Sequence, residues 1–405
     1  MLAIRRLMNN RRRILVLTLS FGSGHVRAAR TVAESIRRRA PGADVRVVDA
    51  LAQCRALFRA GYAWPYWAMV RYAPTLWDRF FAARVARKDQ NTAPEWAFRW
   101  GCAKVFEMIA QFDPETIVAT EVAACEMAAM AKRARLTRAL IVSVITDYEA
   151  EPVWIKSEVD CYAVADESVH EQLCGWGAPV EKIVTCGIPI AESFSARQKD
   201  NGSATRSRYH IKDDAPLVLL MGGGMGPTRM DRVANHLSAS GEAIHIIAIT
   251  GHDARVRRRL ARVKVAPPVS LRVLGWTDDV AALMRAATVL VTKPGGLTTT
   301  EAAHCALPIV AFDAIPGPEE RNAAKLVEAG ACLMTSGARA TAAAVLTLLR
   351  DTRLRQEMAA CAEGLARRDA AAEVARLALG EDLREHKAVG QVAVSAWGER
   401  LEGVA

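Results

Sequence analysis

The 405-residue sequence contains no apolar run approaching the ~18 residues that a bilayer-spanning helix needs. A transmembrane segment is therefore not expected, and any membrane contact has to be peripheral. A cysteine framework is also missing. The nine cysteines are scattered, odd in number and without a C-x-x-C pair. That pattern speaks against a disulfide scaffold or a zinc site and predicts buried free thiols in a reducing cytosol. No low-complexity tract or internal repeat is visible. Acidic residues are scarce at one end. Residues 1–100 hold 19 Lys and Arg against 6 Asp and Glu, a net of +13. The remaining 305 residues carry −3 of the overall +10. Such asymmetry points to a polyanionic partner, either nucleic acid or an anionic membrane.

The aromatic residues help to choose between these partners. Nine of them fall between Phe58 and Phe81, interleaved with Arg59, Arg71 and Arg79 and followed by Arg84. Trp and Tyr suit the membrane interface, because one end of each ring system is apolar and the other can stay wet. No nucleic-acid motif accompanies them, so a nucleic-acid partner is not expected. Trp64, Trp67, Tyr72, Trp77 and, further on, Trp154 are read as acceptor- or membrane-facing. The competing reading places half of these rings in an ordinary core.

Arg11, Arg12 and Arg13 before the apolar residues 14–19 resemble a signal peptide. The apolar run is only six residues long and leads into Ser-Phe-Gly-Ser-Gly-His, which is turn chemistry, so it reads as a buried strand. A helix over 26–40 and a strand over 45–48 complete a βαβ unit. Strands over 116–119, 140–145, 160–165 and 183–186 continue the series. The polar stretch 195–214 reads as a linker. A second series follows, with strands over 217–221, 243–250, 270–274, 289–291 and 309–312. Two alternating β/α halves predict an α/β protein of two doubly wound, Rossmann-like domains facing across a cleft. The expected bounds are 12–195 for an N-terminal acceptor- and membrane-binding domain and 205–350 for a C-terminal nucleotide-binding domain. Residues 351–405 are expected to be helical and to pack back toward the first domain.

Four motifs sit at strand-to-helix junctions. Gly22-Ser23-Gly24-His25 permits a sharp turn and sets an imidazole at a strand end, where its ordinary pKa of about 6.5 suits a general base. A helix-capping histidine is the competing reading. Gly222, Gly223 and Gly224, with Gly226, allow backbone to approach a phosphate. Lys293-Pro294-Gly295-Gly296-Leu297-Thr298-Thr299-Thr300-Glu301 opens a helix whose N-terminus can hold a diphosphate. Glu301, one turn in, can accept from two ribose hydroxyls. Gly317-Pro318-Glu319-Glu320-Arg321-Asn322 offers carboxylates and an amide to sugar hydroxyls. A solvated acidic loop is the alternative there.

The order of these motifs resembles the donor half of GT-B glycosyltransferases. Together with Gly275-Trp276 and Asp278-Asp279, the segments 295–301 and 316–322 are similar to the monogalactosyldiacylglycerol synthase and processive diacylglycerol glucosyltransferase family. Ser20-Phe21-Gly22-Ser23-Gly24-His25, Tyr72-Ala73-Pro74-Thr75-Leu76-Trp77, Thr146-Asp147 and Cys186-Gly187-Ile188-Pro189 continue the likeness over roughly residues 12–350. The resemblance implies His25 as general base, with Gly24 close to the donor and Gly222, Gly223 and Gly224 around the diphosphate. Backbone at Trp276 would hold the uracil, and Gly295, Gly296, Leu297 and Thr298 would face phosphate. Glu301 would clamp the ribose, and Glu319, Glu320 and Asn322 would touch the hexose. Glu151 stands where the family usually has His, and Pro318 where Gln is common.

The reaction so implied moves a hexose from UDP-glucose or UDP-galactose to a lipid hydroxyl, most simply that of diacylglycerol. The expected location is the cytoplasmic face of the cell membrane. Asp147 is expected to orient His25 or stabilise its charge. No Asp-x-Asp motif accompanies the donor segments, so neither a metal nor a cofactor is expected. Rival readings are a UDP-GlcNAc transferase acting on a polyprenyl-linked acceptor, a UDP-sugar epimerase, and a nucleotide-sugar sensor. The oligomeric state is left open.

Overall fold

The computed structural model describes residues 12–20, 22–88, 91–195, 202–223 and 228–381. Twelve strands form two six-stranded parallel sheets among these residues. The first runs in the order β2-β1-β3-β4-β5-β6, from β1 (Arg13–Thr18), β2 (Asp44–Asp49), β3 (Thr116–Ala119), β4 (Leu140–Val144), β5 (Cys161–Val164) and β6 (Ile183–Thr185). The second runs β12-β11-β10-β7-β8-β9. Its members are β7 (Leu217–Met221), β8 (His245–Ile249), β9 (Ser270–Leu274), β10 (Val289–Thr292), β11 (Ile309–Ala311) and β12 (Cys332–Met334). Helices cover both faces of such sheets, so the inner strands are buried on both sides and read as unbroken apolar runs. Ile14 to Leu17 and Leu217 to Leu220 are almost completely buried. Each sheet is the α/β arrangement that the alternating pattern predicts, and the two face each other as in the GT-B fold.

The chain order within each sheet reverses beside its first strand. In the first sheet β1 lies between β2 and β3, and in the second β7 lies between β10 and β8. Crevices at the C-terminal ends of strands open at such switch points. The Gly22–His25 turn follows β1, and Gly222-Gly223 follows β7. Topology therefore places the first two glycine motifs where a ligand crevice is expected.

Between β2 and β3 stand a single turn of helix at Ala50–Gln53 and four longer helices, at Ala56–Tyr72, Pro74–Arg87, Glu95–Gly101 and Ala103–Phe112. Phe58 stacks on Tyr62 with ring centres 5.5 Å apart, and Phe98 packs against both. The segment expected to be a linker holds a helix at Ser203–Arg208, which packs on the helix Val280–Ala286 of the second half. Residues 196–201 of that segment lie outside the described residues.

After β12 the chain returns to the first sheet. Helix Ala338–Arg350 packs on Met230–Ser238, and Thr352–Gly364 lies against Gly296–His304. Helix Ala370–Ala378 then packs on Ser23–Arg39, with Val374, Ala375, Leu377 and Ala378 sharing a core with Ile14, Val16 and Val142. Gly187 marks the crossing. Its φ of +95° is left-handed, and a Cβ there would lie 2.8 Å from Arg367 Cβ. Of the final segment, residues 382–405 lie outside the described residues.

Two expectations need correction. Cys54 and Cys102 are joined as a disulfide with Cα atoms 4.4 Å apart, whereas free thiols were expected throughout. The other seven cysteines are free. Trp77 and Trp154 are buried and so present no surface to a bilayer. Trp77 instead donates its indole N–H to the Pro316 carbonyl at 3.0 Å, a bond from the first half to the second.

Candidate active site

His25 begins the site. The turn after β1 brings it into the first turn of helix Ser23–Arg39, at the C-terminal end of the sheet. Its Nδ1 lies 2.9 Å from Thr146 Oγ1, just past the end of β4. The bond to the ring therefore comes from Thr146, not from Asp147, which corrects the expected orienting role. Asp147 acts on the ring through its charge. Burial holds the imidazole below its ordinary pKa, while the Asp147 carboxylate and a backbone hydrogen bond at Thr120 pull the other way. The net direction is downward, which favours the neutral imidazole that a base requires.

Asp147 is itself held from the opposite half. Asn322 Nδ2 donates to Asp147 Oδ1 at 2.8 Å, and Asn322 Oδ1 accepts from the Tyr148 N–H at 2.8 Å. Asn322 is fully buried. The amide expected to touch the hexose is thus a strut between the two domains, with its oxygen and its nitrogen both engaged. Tyr148 Oη and Thr300 Oγ1, 2.9 Å apart, add a second strut, and Arg321 pairs with Glu149. The tightest point of this seam is Gly296. A Cβ there would lie 2.1 Å from the Thr146 carbonyl oxygen and 3.0 Å from Asp147 Cα.

Three cavities meet around this seam. A volume of about 190 Å³ is bounded by the Gly22–His25 turn, Asp147, Gly223 and Gly295 to Thr298. It continues toward a second of about 240 Å³, bounded by Gly223, Gly251, Trp276 and Thr298. The third, about 550 Å³, runs from His25 and Asp147 past Tyr66, Trp77 and Phe80 to Trp154. His25 lies on the wall shared by the first and third. Helix Gly296–His304 points its N-terminus into the first, so unpaired backbone N–H groups face any anion there.

The predicted donor residues fall out as follows. Gly24, Gly223, Gly295, Gly296, Leu297, Thr298 and Glu319 line the first cavity. Gly222 is packed under it, where a Cβ would meet Thr228 at 2.9 Å. Gly224 lies outside the described residues. Trp276 borders the second cavity, half exposed and stacked on His252 at 4.7 Å. Glu319 accepts from the Ile315 N–H at 2.7 Å and sits 3.5 Å from Lys293 Nζ. Burial raises its pKa, and Lys293 opposes this. Glu320 accepts weakly from the Gly317 N–H at 3.4 Å, in a capping arrangement at the helix start. Glu301 is 1% exposed and lies 2.6 Å from Arg27 Nη2. That contact lacks hydrogen-bond geometry, so neither carboxylate oxygen has a hydrogen-bond partner among the described residues. Burial raises the Glu301 pKa to about 7 against the pull of Arg27.

On the acceptor side, Trp67 borders the first cavity and Trp77 and Trp154 border the third. Trp64 and Tyr72 are 71% and 78% exposed and line none of these cavities. Trp96 and Trp100, one turn apart on helix Glu95–Gly101, are also exposed. Sequence reasoning missed them, although their i, i+4 spacing beside Arg99 was a readable signal. It also missed Glu121, which caps helix Val122–Arg133 through the Ala123 and Ala124 N–H groups and borders the third cavity. Burial lifts its pKa to about 7. Glu151, the departure from the family pattern, borders the same cavity 4.0 Å from Arg84, and burial likewise lifts its pKa to about 7.

Both halves of the chain are similar to known proteins. Residues 25–190 match the family model for monogalactosyldiacylglycerol (MGDG) synthase, and residues 219–351 match that for glycosyl transferases group 1. A processive diacylglycerol beta-glucosyltransferase of Bacillus thuringiensis (strain Al Hakam) is 26% identical over 322 residues, covering 80% of this chain and 81% of that one. That of Bacillus cereus (strain 03BB102) is 24% identical over 372 residues, covering 91% and 94%. Among solved structures, Acinetobacter baumannii MurG aligns with a TM-score of 0.61 at 14% identity, over 91% of this chain and 99% of that one. The S. aureus MnaA–UDP co-structure aligns with a TM-score of 0.59 at 12% identity, over 91% and 97%. At these identities the two structures establish the shared fold.

Proposed function

We propose that this chain, whose first half matches the monogalactosyldiacylglycerol synthase model and which is similar over most of its length to processive diacylglycerol beta-glucosyltransferases, transfers a hexose from UDP-glucose or UDP-galactose to the hydroxyl of diacylglycerol at a membrane surface. The observation that carries the proposal is the position of His25 on the wall between a phosphate-suited cavity and a large aromatic one.

The mechanism is a single in-line displacement. In the tautomer whose Nδ1–H donates to Thr146 Oγ1, Nε2 is unprotonated and takes the acceptor's hydroxyl proton. The acceptor oxygen bonds to the anomeric carbon as the bond from that carbon to the UDP oxygen breaks. Negative charge builds on the departing diphosphate, where the N-terminus of helix Gly296–His304 and the Gly223 backbone meet it. Asp147 offsets the positive charge that His25 acquires. Glu319, beside Lys293 at the cavity wall, is placed for the hexose hydroxyls. Trp276 borders the cavity suited to uracil.

The membrane part of the reading is supported by the helices between β2 and β3. They expose Leu57, Trp64, Tyr72, Leu76, Phe80, Trp96 and Trp100 beside exposed Arg55, Arg59, Arg79, Arg87 and Lys88. Anionic lipid attracts each such cation near its surface by about 1 kcal/mol. Among the described residues no helix is long and apolar enough to cross a membrane. The cytoplasmic leaflet, which is anionic, is the proposed site of action.

The test is UDP release from each UDP-hexose with diacylglycerol in anionic liposomes. Release that requires both the diacylglycerol and the vesicle is expected, and it should fall as salt rises. The double change Trp64→Ser/Trp96→Ser should weaken vesicle binding by about a hundredfold, because each ring withdraws roughly 1.5 kcal/mol of apolar burial. Release that ignores lipid would return the assignment to an epimerase or a water-soluble acceptor.

A further inference from the structure

Arg27 reaches across the seam between the two halves. It lies two residues after His25 on the first domain and pairs with Glu301 of the second at 2.6 Å. Its guanidinium is 5.9 Å from the Phe194 ring centre. It borders both the cavity suited to diphosphate and the one beside Trp276. About a third of the side chain is exposed, so the guanidinium can turn. Glu301 is almost wholly buried and has no other cation beside it among the described ion pairs. Both its oxygens lack a hydrogen-bond donor among the described residues. A buried carboxylate with no donated hydrogen bond leaves its acceptor capacity unused.

Ribose hydroxyls and Arg27 therefore compete for one carboxylate. The hydroxyls can supply the hydrogen bonds that the present pair does not make. We propose that Arg27 is a donor-reading residue: Glu301 holds its guanidinium until the donor's ribose takes that carboxylate, and Arg27 then contacts the diphosphate in the adjoining cavity. The inference rests on the UDP-sugar reading and adds to it a cation contributed by the acceptor domain. It ties recognition of the nucleoside to that of the phosphates, because a ligand with ribose alone must displace Arg27 without gaining its phosphate contact. During transfer the same guanidinium meets the charge on the departing diphosphate.

The test compares uridine with UDP, by calorimetry on wild type, Arg27→Gln and Arg27→Lys. In Arg27→Gln, UDP should bind about tenfold or more weakly, the scale of one lost charge-assisted hydrogen bond. Uridine should bind at least as tightly as to wild type, because its competitor for Glu301 is gone. Arg27→Lys should recover part of the UDP affinity. Equal weakening of both ligands would reduce Arg27 to a structural tie between domains and overturn the inference. Unchanged binding of both would overturn it too. Wild-type affinity for UDP is the reference: its absence would sink the donor reading and this inference together, whereas its presence with unaltered variants sinks the inference alone.

Discussion

Replacing His25 by alanine is expected to slow hexose transfer by about 10²–10⁴-fold, the usual contribution of a positioned general base. UDP affinity should stay near the wild-type value, because the groups that meet the diphosphate, the N-terminus of helix Gly296–His304, the Gly223 backbone and Arg27, are all left in place. The loss should therefore appear in kcat, in the pattern of an interaction made only as the reaction proceeds. The pH profile carries an independent signature. Burial holds the His25 pKa below its ordinary value, so the acid limb of kcat/KM should fall below about 6.5. Asp147 raises that pKa. Asp147→Asn keeps an acceptor for Asn322 Nδ2 but removes the charge, so the limb should move to still lower pH while the plateau drops with the weaker base. A limb that moves upward in Asp147→Asn would contradict this electrostatic assignment.

Gly296→Ala is expected to lower kcat/KM by about a hundredfold, through distance alone. The added carbon would sit 2.1 Å from the Thr146 carbonyl oxygen and 3.0 Å from Asp147 Cα. Both neighbours are backbone atoms, so the side chains cannot turn away, and the domains must separate or the helix must shift. A displacement of about 1 Å between the base and the donor is enough for a loss of that size. Overpacking should also cost about 1–3 kcal/mol of stability, read as a lower Tm. The measurement is kcat/KM and Tm together. Full activity in this variant would mean that the seam at Thr146 is open when the reaction occurs.

The strands were readable because parallel strands buried on both faces leave continuous apolar runs, and residues 116–119 and 217–221 coincide with the wholly buried β3 and β7. β12 was not, since it has three residues and only Cys332 of them is buried. The four longer helices between β2 and β3 were obscured for a different reason. Ala56–Tyr72 carries aromatic residues on several faces and Pro65 in its interior, so no single apolar stripe marks it. Within the site, His25 and the glycine turns were legible because strand ends at switch points are where ligand crevices open. The strut role of Asn322 and the pairing of Arg27 were not. Their partners, Asp147 and Tyr148 for one and Glu301 for the other, lie on the opposite domain, and no local spacing encodes a contact made across a cleft. The Cys54–Cys102 pairing, within the first half but 48 residues apart, was hidden because no local spacing encodes it.

The central claim is a single displacement driven by His25, and the configuration of the product tests it most directly. The enzyme would be supplied with UDP-glucose, whose sugar is α-linked, and with diacylglycerol in anionic liposomes. The anomeric proton coupling of the glycolipid would then be read by NMR. One displacement inverts the anomeric carbon, so the account predicts a β-glycoside. An α-linked product would contradict it, because retention needs a second displacement or a front-face path that a base at His25 does not provide.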